Sequence, residues 1–297
     1  MKKMWWNKVF FTMLIFPFAL HGQSPDSSRS NDLNKRRLRI FTVGAVAAYG
    51  GAMAGLNKLW YENNGQTSFH FFNDNPEWKQ VDKAGHFFSA FHISHGTSGL
   101  LRSFNVPQQK SDLIGALTGF GVLLPIEILD GHSKAYGASV GDLLANTGGA
   151  AFYFLQSRLW SEVRIHPKFS FHRTNYARLR PEVLGHDLAE ELMKDYNGQT
   201  YWLSVDIDKF TPFPKWLNLA VGYGAQGMVY ARDHQNIDAG FNTPYRQYYL
   251  SLDLDITAIH TNSKAVKTLL FLINMVKIPS PALSFSRKGV HFDALTF

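Results

Sequence analysis

The sequence has no cysteine, and charged residues make up only 18% of its 297 positions. Without cysteine the chain cannot form a disulfide scaffold, a zinc site with thiolate ligands, a thiol nucleophile or a lipidated N-terminal cysteine. The low charge and the 45% share of hydrophobic residues exclude a disordered chain. We therefore expect a folded protein, long enough for one large domain or two ordinary ones.

Signatures of several common functions are also missing. No glycine-rich phosphate loop follows a strand pattern, and the metalloprotease motif His-Glu-x-x-His does not occur. No basic stripe with interleaved aromatic residues indicates nucleic acid. The sequence therefore predicts no nucleic-acid partner and no cofactor, and it leaves any bound metal unknown.

The first 22 residues are typical of a secretory signal. Three lysines, Lys2, Lys3 and Lys8, precede an uncharged apolar run of twelve residues, from Val9 to Leu20. The small residue Gly22 follows this run. Twelve residues form about 18 Å of helix, which is too short to cross a hydrocarbon core of about 30 Å. We predict that residues 1–22 are a cleaved signal peptide. The mature protein is then exported, to the periplasm or outer membrane of a Gram-negative bacterium.

Residues 23–39 form a polar segment that ends in a cluster of basic residues, and we predict a linker there. Most of the formal net charge of +7 lies in the first forty residues, so the folded body is nearly neutral. Two interpretations of the basic cluster stay open. It is either a solvated arm or a basic collar that contacts anionic lipid head groups.

The segment 40–165 has the pattern of a helical domain. Its four apolar stretches, rich in glycine and alanine, are 40–56, 84–101, 113–128 and 143–155. Small residues let helices pack closely, as in membrane-embedded bundles. Each stretch is shorter than the ~20 residues that a comfortable membrane span needs. We therefore predict a compact bundle at or near a membrane surface, with four true spans as the alternative.

From about residue 168 onward, apolar and polar residues alternate, which is typical of half-buried strands. The clearest strands are 201–208, 217–224 and 248–256, with shorter candidates at 169–171, 228–230, 283–285 and 290–292. The apolar stretch 266–276 fits either a helix or a buried strand.

We predict an α+β protein in which an antiparallel β-rich domain, residues 166–297, follows the helical one. Two arrangements of its strands stay open. One is a soluble sheet packed by one face on the helical half. The other is an outer-membrane barrel or partial barrel with apolar side chains outside and polar side chains inside.

Three polar clusters interrupt the apolar surroundings of the helical half. They are Asp82, Lys83 and His86; Glu127 and Asp130; and Ser139, Asp142 and Asn146. Asp82 and His86 are four residues apart and share a helix face. Glu127 ends an apolar stretch, where an unpaired carboxylate is costly. If these helices pack together, the clusters converge on a buried hydrogen-bond network, which we favour, or on a hard-metal or polar head-group site.

Ser139 and Asp142 also have the spacing of a helix capping box, so each has a structural explanation of its own. Asp82 fits the N-terminal turn of a helix, where the helix dipole favours an acid.

Three motifs agree in order and spacing with one known family. They are Asp82-Lys83-x-x-His86-Phe87, Glu127 at the end of an apolar helix, and Ser139-x-x-Asp142-Leu-x-x-Asn146. Over residues 78–151 the chain resembles the YfiM-like family of envelope proteins, and more loosely it is similar to the VanZ-like membrane proteins. The resemblance implies a helical envelope protein, often described as a predicted periplasmic lipoprotein, without an established activity. This sequence departs from that pattern in lacking the lipoprotein cysteine and in adding the β-rich half.

The leading hypothesis is a non-enzymatic envelope protein, associated with the outer membrane, that binds membrane lipid or an outer-membrane protein partner. The first alternative is a hydrolase or transferase acting on a lipid head group. There His86 is the general acid/base, oriented by Asp82 or Asp142, and Glu127 is a second carboxylate or metal ligand. The second alternative is a structural subunit of an outer-membrane complex.

Overall fold

The computed structural model describes residues 27–57 and 65–296. The predicted signal peptide, residues 1–22, lies outside them. The chain forms two compact units. The first contains the described residues up to Asn73 together with Ser89–Arg158, and the second contains Asp74–Phe88 together with the described residues from Leu159 onward. We describe each unit by itself.

Four long helices supply the helical part of the chain. They are α1 (Ser27–Leu56), α2 (Val81–Ser103), α3 (Gln108–His132) and α4 (Val140–Trp160). Helix α1 begins within the segment 23–39, which the sequence predicts as a linker. The four helices have 30, 23, 25 and 21 residues, so each is longer than the apolar stretch that it contains. Each helix continues into polar residues on one or both sides of that stretch.

Two of the helices among the described residues are long and apolar enough to cross a membrane. These two segments, identified by length and composition alone, are Asn34–Gly55 and Gln108–His132. Helix α3 runs without interruption through Pro125.

Apart from Leu123, the buried residues of α3 are polar or small, whereas its exposed side is apolar. The buried residues are Ser111, Asp112, Gly115, Gly119, Leu123, Glu127 and Gly131. On the exposed side, 64% of Leu117 is accessible to solvent. A Cβ atom at Gly119 would clash with the backbone oxygen of Ala90 and with Ser94 Oγ, both on α2. Glycine therefore lets α2 and α3 approach closely, as small residues do in membrane helices.

The second unit is built on a six-stranded antiparallel sheet. Its strands are β1 (Ile165–Phe171), β2 (Gln199–Val205), β3 (Leu217–Gln226), β4 (Tyr245–Leu254), β5 (Ser280–Ser286) and β6 (Gly289–Thr296). Each strand pairs with its neighbour in sequence, in the order β1 to β6. This arrangement confirms the predicted α+β class, with the β-rich part after the helical part.

The sheet is open, so the closed form of the predicted barrel is wrong, whereas the other two predicted forms, a soluble sheet and a partial barrel, are both open. Beyond the regular ladder, a single parallel bridge joins Phe169 of β1 to Val276. It is held by Phe169 N–H donating to Met275 O at 2.8 Å and by Lys277 N–H donating to Phe169 O at 2.9 Å. One bridge covers part of the β1 edge and does not continue the ladder around to β6.

Short helices connect the strands: α5 (Pro181–Leu184), α6 (Leu188–Lys194), α7 (Asp233–Asp238) and α8 (Lys264–Ile273). Three 3-10 turns lie in the same connections, at Ala177–Leu179, Ile207–Lys209 and Ile256–Ala258, and a fourth, Trp78–Gln80, precedes α2. Helix α8 shows that most of the ambiguous stretch 266–276 is helical.

The predicted strand at 228–230 is wrong, because asparagine side chains bind its backbone. Asn197 Oδ1 accepts a hydrogen bond from Met228 N–H at 2.8 Å. Asn236 Oδ1 accepts from Val229 N–H at 2.9 Å and from Tyr230 N–H at 3.1 Å. These donors are therefore not available to a strand ladder.

Candidate functional site

The predicted site residues are distributed over both units. Asp82, Lys83 and His86 lie in the first turns of α2, which belong to the second unit. The other five belong to the first unit: Glu127, Asp130, Ser139, Asp142 and Asn146. The convergence of the two groups on one site stays a prediction, and each group is described within its own unit.

In the second unit, Lys83 lies between two carboxylates. Its Nζ is 2.9 Å from Asp74 Oδ2 and 3.0 Å from Asp82 Oδ2. Burial raises the pKa of Asp82, an effect that the nearby Lys83 partly offsets. The other oxygen of this carboxylate, Oδ1, is buried and has no hydrogen-bond partner within residues 27–57 and 65–296. Lys83 thus supplies a positive charge beside both acids, as expected in a structural ion-pair network.

In the first unit, Glu127 and Ser139 join α3 to the start of α4. Glu127 Oε2 accepts a hydrogen bond from Ser139 N–H at 3.0 Å, and Ser139 Oγ accepts one from Asp142 N–H at 3.0 Å. The second bond confirms the predicted cap by Ser139. In a capping box the third helical residue, here Asp142, would bind the Ser139 N–H. Glu127, from another helix, binds it instead.

Ser139 also stands in a Gly-x-Ser-x-Gly sequence, residues 137–141, that is found in nucleophile elbows. An elbow serine lies on a strained turn with its hydroxyl exposed. Ser139 is instead 2% exposed, and its backbone φ is not positive. Its hydroxyl caps α4. The motif therefore has a structural role that its sequence alone does not reveal.

Asp130 and Asn146 differ in their burial. Asp130 is half-buried near the end of α3, where its backbone oxygen accepts from Ser133 N–H at 3.0 Å. Asn146 is completely buried on α4, one turn after Asp142.

A second polar group in the helical unit escaped the sequence analysis. Asp112 Oδ1 accepts hydrogen bonds from Ser98 Oγ at 2.6 Å and from Tyr153 Oη at 2.7 Å. Asp112 is 2% exposed, so its carboxylate joins α2, α3 and α4 inside the bundle. In the sequence, the only indication of this group is that Asp112 is an acid near the start of an apolar helix. That position is equally typical of a residue stabilised by the helix dipole.

The largest polar group lies on one face of the sheet, which we call the inner face. Its positions in the first five strands are His166, Lys168 and Ser170; Thr200, Trp202 and Ser204; Asn218, Ala220, Gly222 and Gly224; Gln247, Tyr249, Ser251 and Asp253; and Ser280, Ala282 and Ser284. Most of them are buried. Trp202 is the largest, and its ring is accommodated because Gly222, opposite it on β3, has no side chain.

A buried ion pair lies at the centre of the inner face. Lys168 Nζ is 2.6 Å from Asp253 Oδ2, and both side chains are fully buried. The ammonium group also donates to Leu254 O at 2.9 Å and to Asn274 Oδ1 at 3.0 Å, so all three of its protons have acceptors. Asp253 Oδ2 accepts a further bond from Ser204 Oγ at 2.6 Å. These additional hydrogen bonds offset part of the cost of removing the pair from water.

Lys277 is a second lysine beside this pair. Its Nζ donates to Ser280 Oγ at 2.6 Å and lies 4.6 Å from the centre of the Trp202 ring. Burial lowers the pKa of Lys277 to about 8; Asp253 opposes this shift and Lys168 adds to it.

Further polar bonds extend the network toward one end of the sheet. Asn218 Nδ2 donates to Asp206 Oδ1 at 2.6 Å, and His166 Nε2 lies 3.0 Å from Asp206 Oδ2. Asn218 and Asp253 are direct partners on β3 and β4, and each has one buried oxygen without a hydrogen-bond partner among the described residues. The interior of this sheet is therefore strongly polar.

The opposite face of the sheet, the outer face, is apolar and largely exposed, except at one end, where Tyr201, Tyr223 and Ala225 belong to an apolar cluster around Val81. Its positions include Leu203 and Val205; Leu217, Leu219, Val221 and Tyr223; Tyr248, Leu250, Leu252 and Leu254; Leu283 and Phe285; and Val290 and Phe292. The exposed fractions are 50% for Val221 and 67% for Phe292. Arg246 is the only charged residue at an outer position of the six described strands. The alternation in the sequence identified these two faces, but it did not show which of them is buried.

Fold and polarity together define an α+β protein with polar interiors and exposed apolar faces. Within this chain, residues 70–158 match the model of a family described as "Predicted periplasmic lipoprotein (DUF2279)". The match supports an exported envelope protein of unknown activity, and it covers none of the strands. The finer YfiM-like and VanZ-like resemblances stay predictions. No curated protein and no solved structure matches the chain.

Proposed function

We propose that the protein is an outer-membrane-associated protein that binds lipid, with the outer face of its sheet in contact with acyl chains. The observation that carries this proposal is the reversed polarity of the sheet: Lys168 and Asp253 are fully buried, while 44% of Leu252 is exposed. Side chains of membrane β-proteins have this arrangement, because the surrounding hydrocarbon favours apolar groups outside.

The exposed apolar area supports the same proposal energetically. Moving one Leu, Val or Phe side chain from water into an apolar environment gains about 1.5–3 kcal/mol at full burial. Large continuous apolar patches are rare on soluble monomers and mark interaction surfaces. The outer face extends over neighbouring strands, so its side chains enter the hydrocarbon together.

The strand lengths favour partial insertion of the sheet into the membrane over a complete crossing of the bilayer. A strand that crosses a bilayer needs about 9–11 residues. Strands β3 and β4 have 10 residues each, but β1, β2 and β5 have 7 and β6 has 8. The two apolar helices fit the same location. However, core helices and signal sequences have similar length and composition, so the proposal does not depend on them.

The test uses the lack of cysteine in the native chain, since each introduced cysteine is then the only labelling site. Single variants Val221→Cys and Leu250→Cys carry a polarity-sensitive fluorophore on the outer face. Leu188→Cys on α6 and Ile237→Cys on α7 are controls, because these apolar residues are also exposed but lie outside the sheet. The labelled full chain is reconstituted into vesicles with and without brominated lipid.

We expect the outer-face probes to shift to the blue and to be quenched by brominated acyl chains, while the control probes stay in water. Vesicle-bound protein whose outer-face probes report the same aqueous environment as the controls would contradict the proposal. The two other functions predicted from the sequence, a lipid head-group enzyme and a structural subunit, stay predictions.

A further inference from the structure

One end of the sheet carries an amphipathic helix whose apolar side is exposed. Helix α8 connects β4 to β5 and begins with Lys264, after the capping residue Ser263. Val266, Leu269 and Ile273 share one side of the helix, since they are separated by three and four residues. Their exposed fractions are 40%, 54% and 45%. No residue of α8 is buried.

The loop between β2 and β3, residues 206–216, lies at the same end of the sheet. It exposes three aromatic side chains: 50% of Phe210, 40% of Phe213 and 56% of Trp216. Leu217 pairs with Leu254, and Asp255 N–H donates to Trp216 O at 3.0 Å, so the loop and the segment leading to α8 are in direct contact. Aromatic side chains are enriched at the interface between membrane and water.

The orientation of α8 is fixed by the inner face of the sheet. Asn274, directly after the last residue of the helix, accepts hydrogen bonds on its Oδ1 from Lys168 Nζ at 3.0 Å and from Ile256 N–H at 3.3 Å. The buried lysine therefore holds the C-terminal end of α8 in place. The helix is presented in a defined position and does not need to be ordered on binding.

The charges of α8 are basic and separate from its apolar side. Lys264 and Lys267 lie on the opposite side of the helix from Leu269 and Ile273, and the helix contains no acidic residue. The neighbouring loop has two lysines, Lys209 and Lys215, and two acids, Asp206 and Asp208, so the net positive charge at this end of the sheet comes from α8. A helix with one apolar face and lysines on its polar face is typical of segments that lie in the surface of an anionic bilayer.

We infer that α8 and the loop 206–216 form an interfacial anchor that binds a lipid surface carrying anionic head groups. The apolar side of α8 and the loop aromatics enter the boundary between head groups and acyl chains, and the lysines contact the head groups. This inference rests on the proposed function, because it assigns the lipid chemistry that one end of the same sheet recognises.

The experiment measures partitioning of the full chain onto vesicles of phosphatidylcholine alone and of phosphatidylcholine mixed with phosphatidylglycerol. The variants are Lys264→Gln with Lys267→Gln, and Leu269→Ser with Ile273→Ser. The matched control is Lys288→Gln, which removes an exposed lysine from the turn between β5 and β6, at the other end of the sheet. Circular dichroism verifies that each variant is folded.

We expect the double lysine variant to bind the anionic vesicles roughly 5-fold more weakly per lysine removed and the neutral vesicles equally well. The Leu269/Ile273 variant should bind both kinds of vesicle more weakly, because only the outer face then contacts the acyl chains, and the control should change neither. Equal binding of the lysine variant and the native chain to anionic vesicles would overturn the inference.

A probe at Leu269→Cys separates this inference from the proposed function. Quenching by brominated lipid at Leu250→Cys but not at Leu269→Cys overturns the anchor and retains the outer-face contact. Quenching at neither position overturns both. A copurifying protein that shields Leu269→Cys from water without lipid quenching also overturns the anchor, because α8 would then be a protein-binding helix.

Discussion

The inner and outer faces of the sheet use the same strands in opposite ways. Between β3 and β4, the inner pairs are Asn218 with Asp253 and Ala220 with Ser251, and the outer pairs are Leu219 with Leu252 and Val221 with Leu250. In a water-soluble sheet the second set would be buried. Here the first set is buried, and hydrogen bonds and one ion pair replace apolar packing. Alternation in a sequence therefore defines two faces, and the solvent on each side decides which of them is interior.

The largest expected effect comes from breaking the inner ion pair. Lys168→Met leaves the Asp253 carboxylate buried without its cation, and such a loss costs about 3–5 kcal/mol of unfolding free energy. Chemical denaturation in mild detergent measures it. The double variant Lys168→Met with Asp253→Leu removes both charges and should recover most of the loss. A single variant as stable as the native chain would show that the pair does not hold the inner face together.

The next largest effect on stability is expected in the helical unit, where α3, like the sheet, has a polar and closely packed side. Gly119→Ala places a methyl group against Ala90 and Ser94 on α2, and overpacking of this kind costs about 1–3 kcal/mol. Gly121→Ala is the matched control on the same helix, because nothing lies within 4 Å of its added Cβ. The control should raise stability by up to about 1 kcal/mol through helix propensity. Equal effects of the two changes in thermal unfolding would contradict the close packing.

The smallest effect is a pH dependence caused by Lys277 on the inner face. Its pKa in the folded protein is lowered to about 8, below that of a lysine in the unfolded chain, so the unfolded chain binds more protons between pH 8 and about 10. The native chain should therefore gain stability relative to Lys277→Met as the pH rises through this window. The gain is at most about 1.4 kcal/mol per pH unit.

Denaturation curves of both proteins at pH 7, 8, 9 and 10 provide the measurement. Lys168 and Asp253 face Lys277 and remain in both proteins, so the difference between the curves isolates Lys277. A stability difference that does not change with pH would show that Lys277 keeps an ordinary pKa.

The sequence predicted the fold class and most of the strands, because these depend on local periodicity. Six of the seven candidate strands are present, and the cap at Ser139 is confirmed. The strand at 228–230 failed because Asn197 and Asn236, distant along the chain or on a following helix, bind its backbone. The apolar stretches did not give the full helix lengths, because polar turns continue each helix beyond its apolar stretch.

The polar partners could not be predicted, since they come from distant parts of the sequence. Lys168 and Asp253 belong to β1 and β4, and nothing in either segment identifies the other as its partner. Likewise Glu127 binds the backbone of Ser139 from another helix, a contact that the capping-box spacing does not indicate. The convergence of the predicted site residues from both units stays a prediction.

The sequential order of the strands has a consequence for how the sheet assembles. Because every strand pairs with the strand before it, each new hairpin can add to an edge that is already formed while the chain is still being delivered from its N-terminus. Such local pairing favours rapid folding. Lys168, however, acquires Asp253 only when β4 arrives and Asn274 only after α8. The ion pair therefore forms only once four strands are in place, and its bond to Asn274 is completed before β5 and β6 are added.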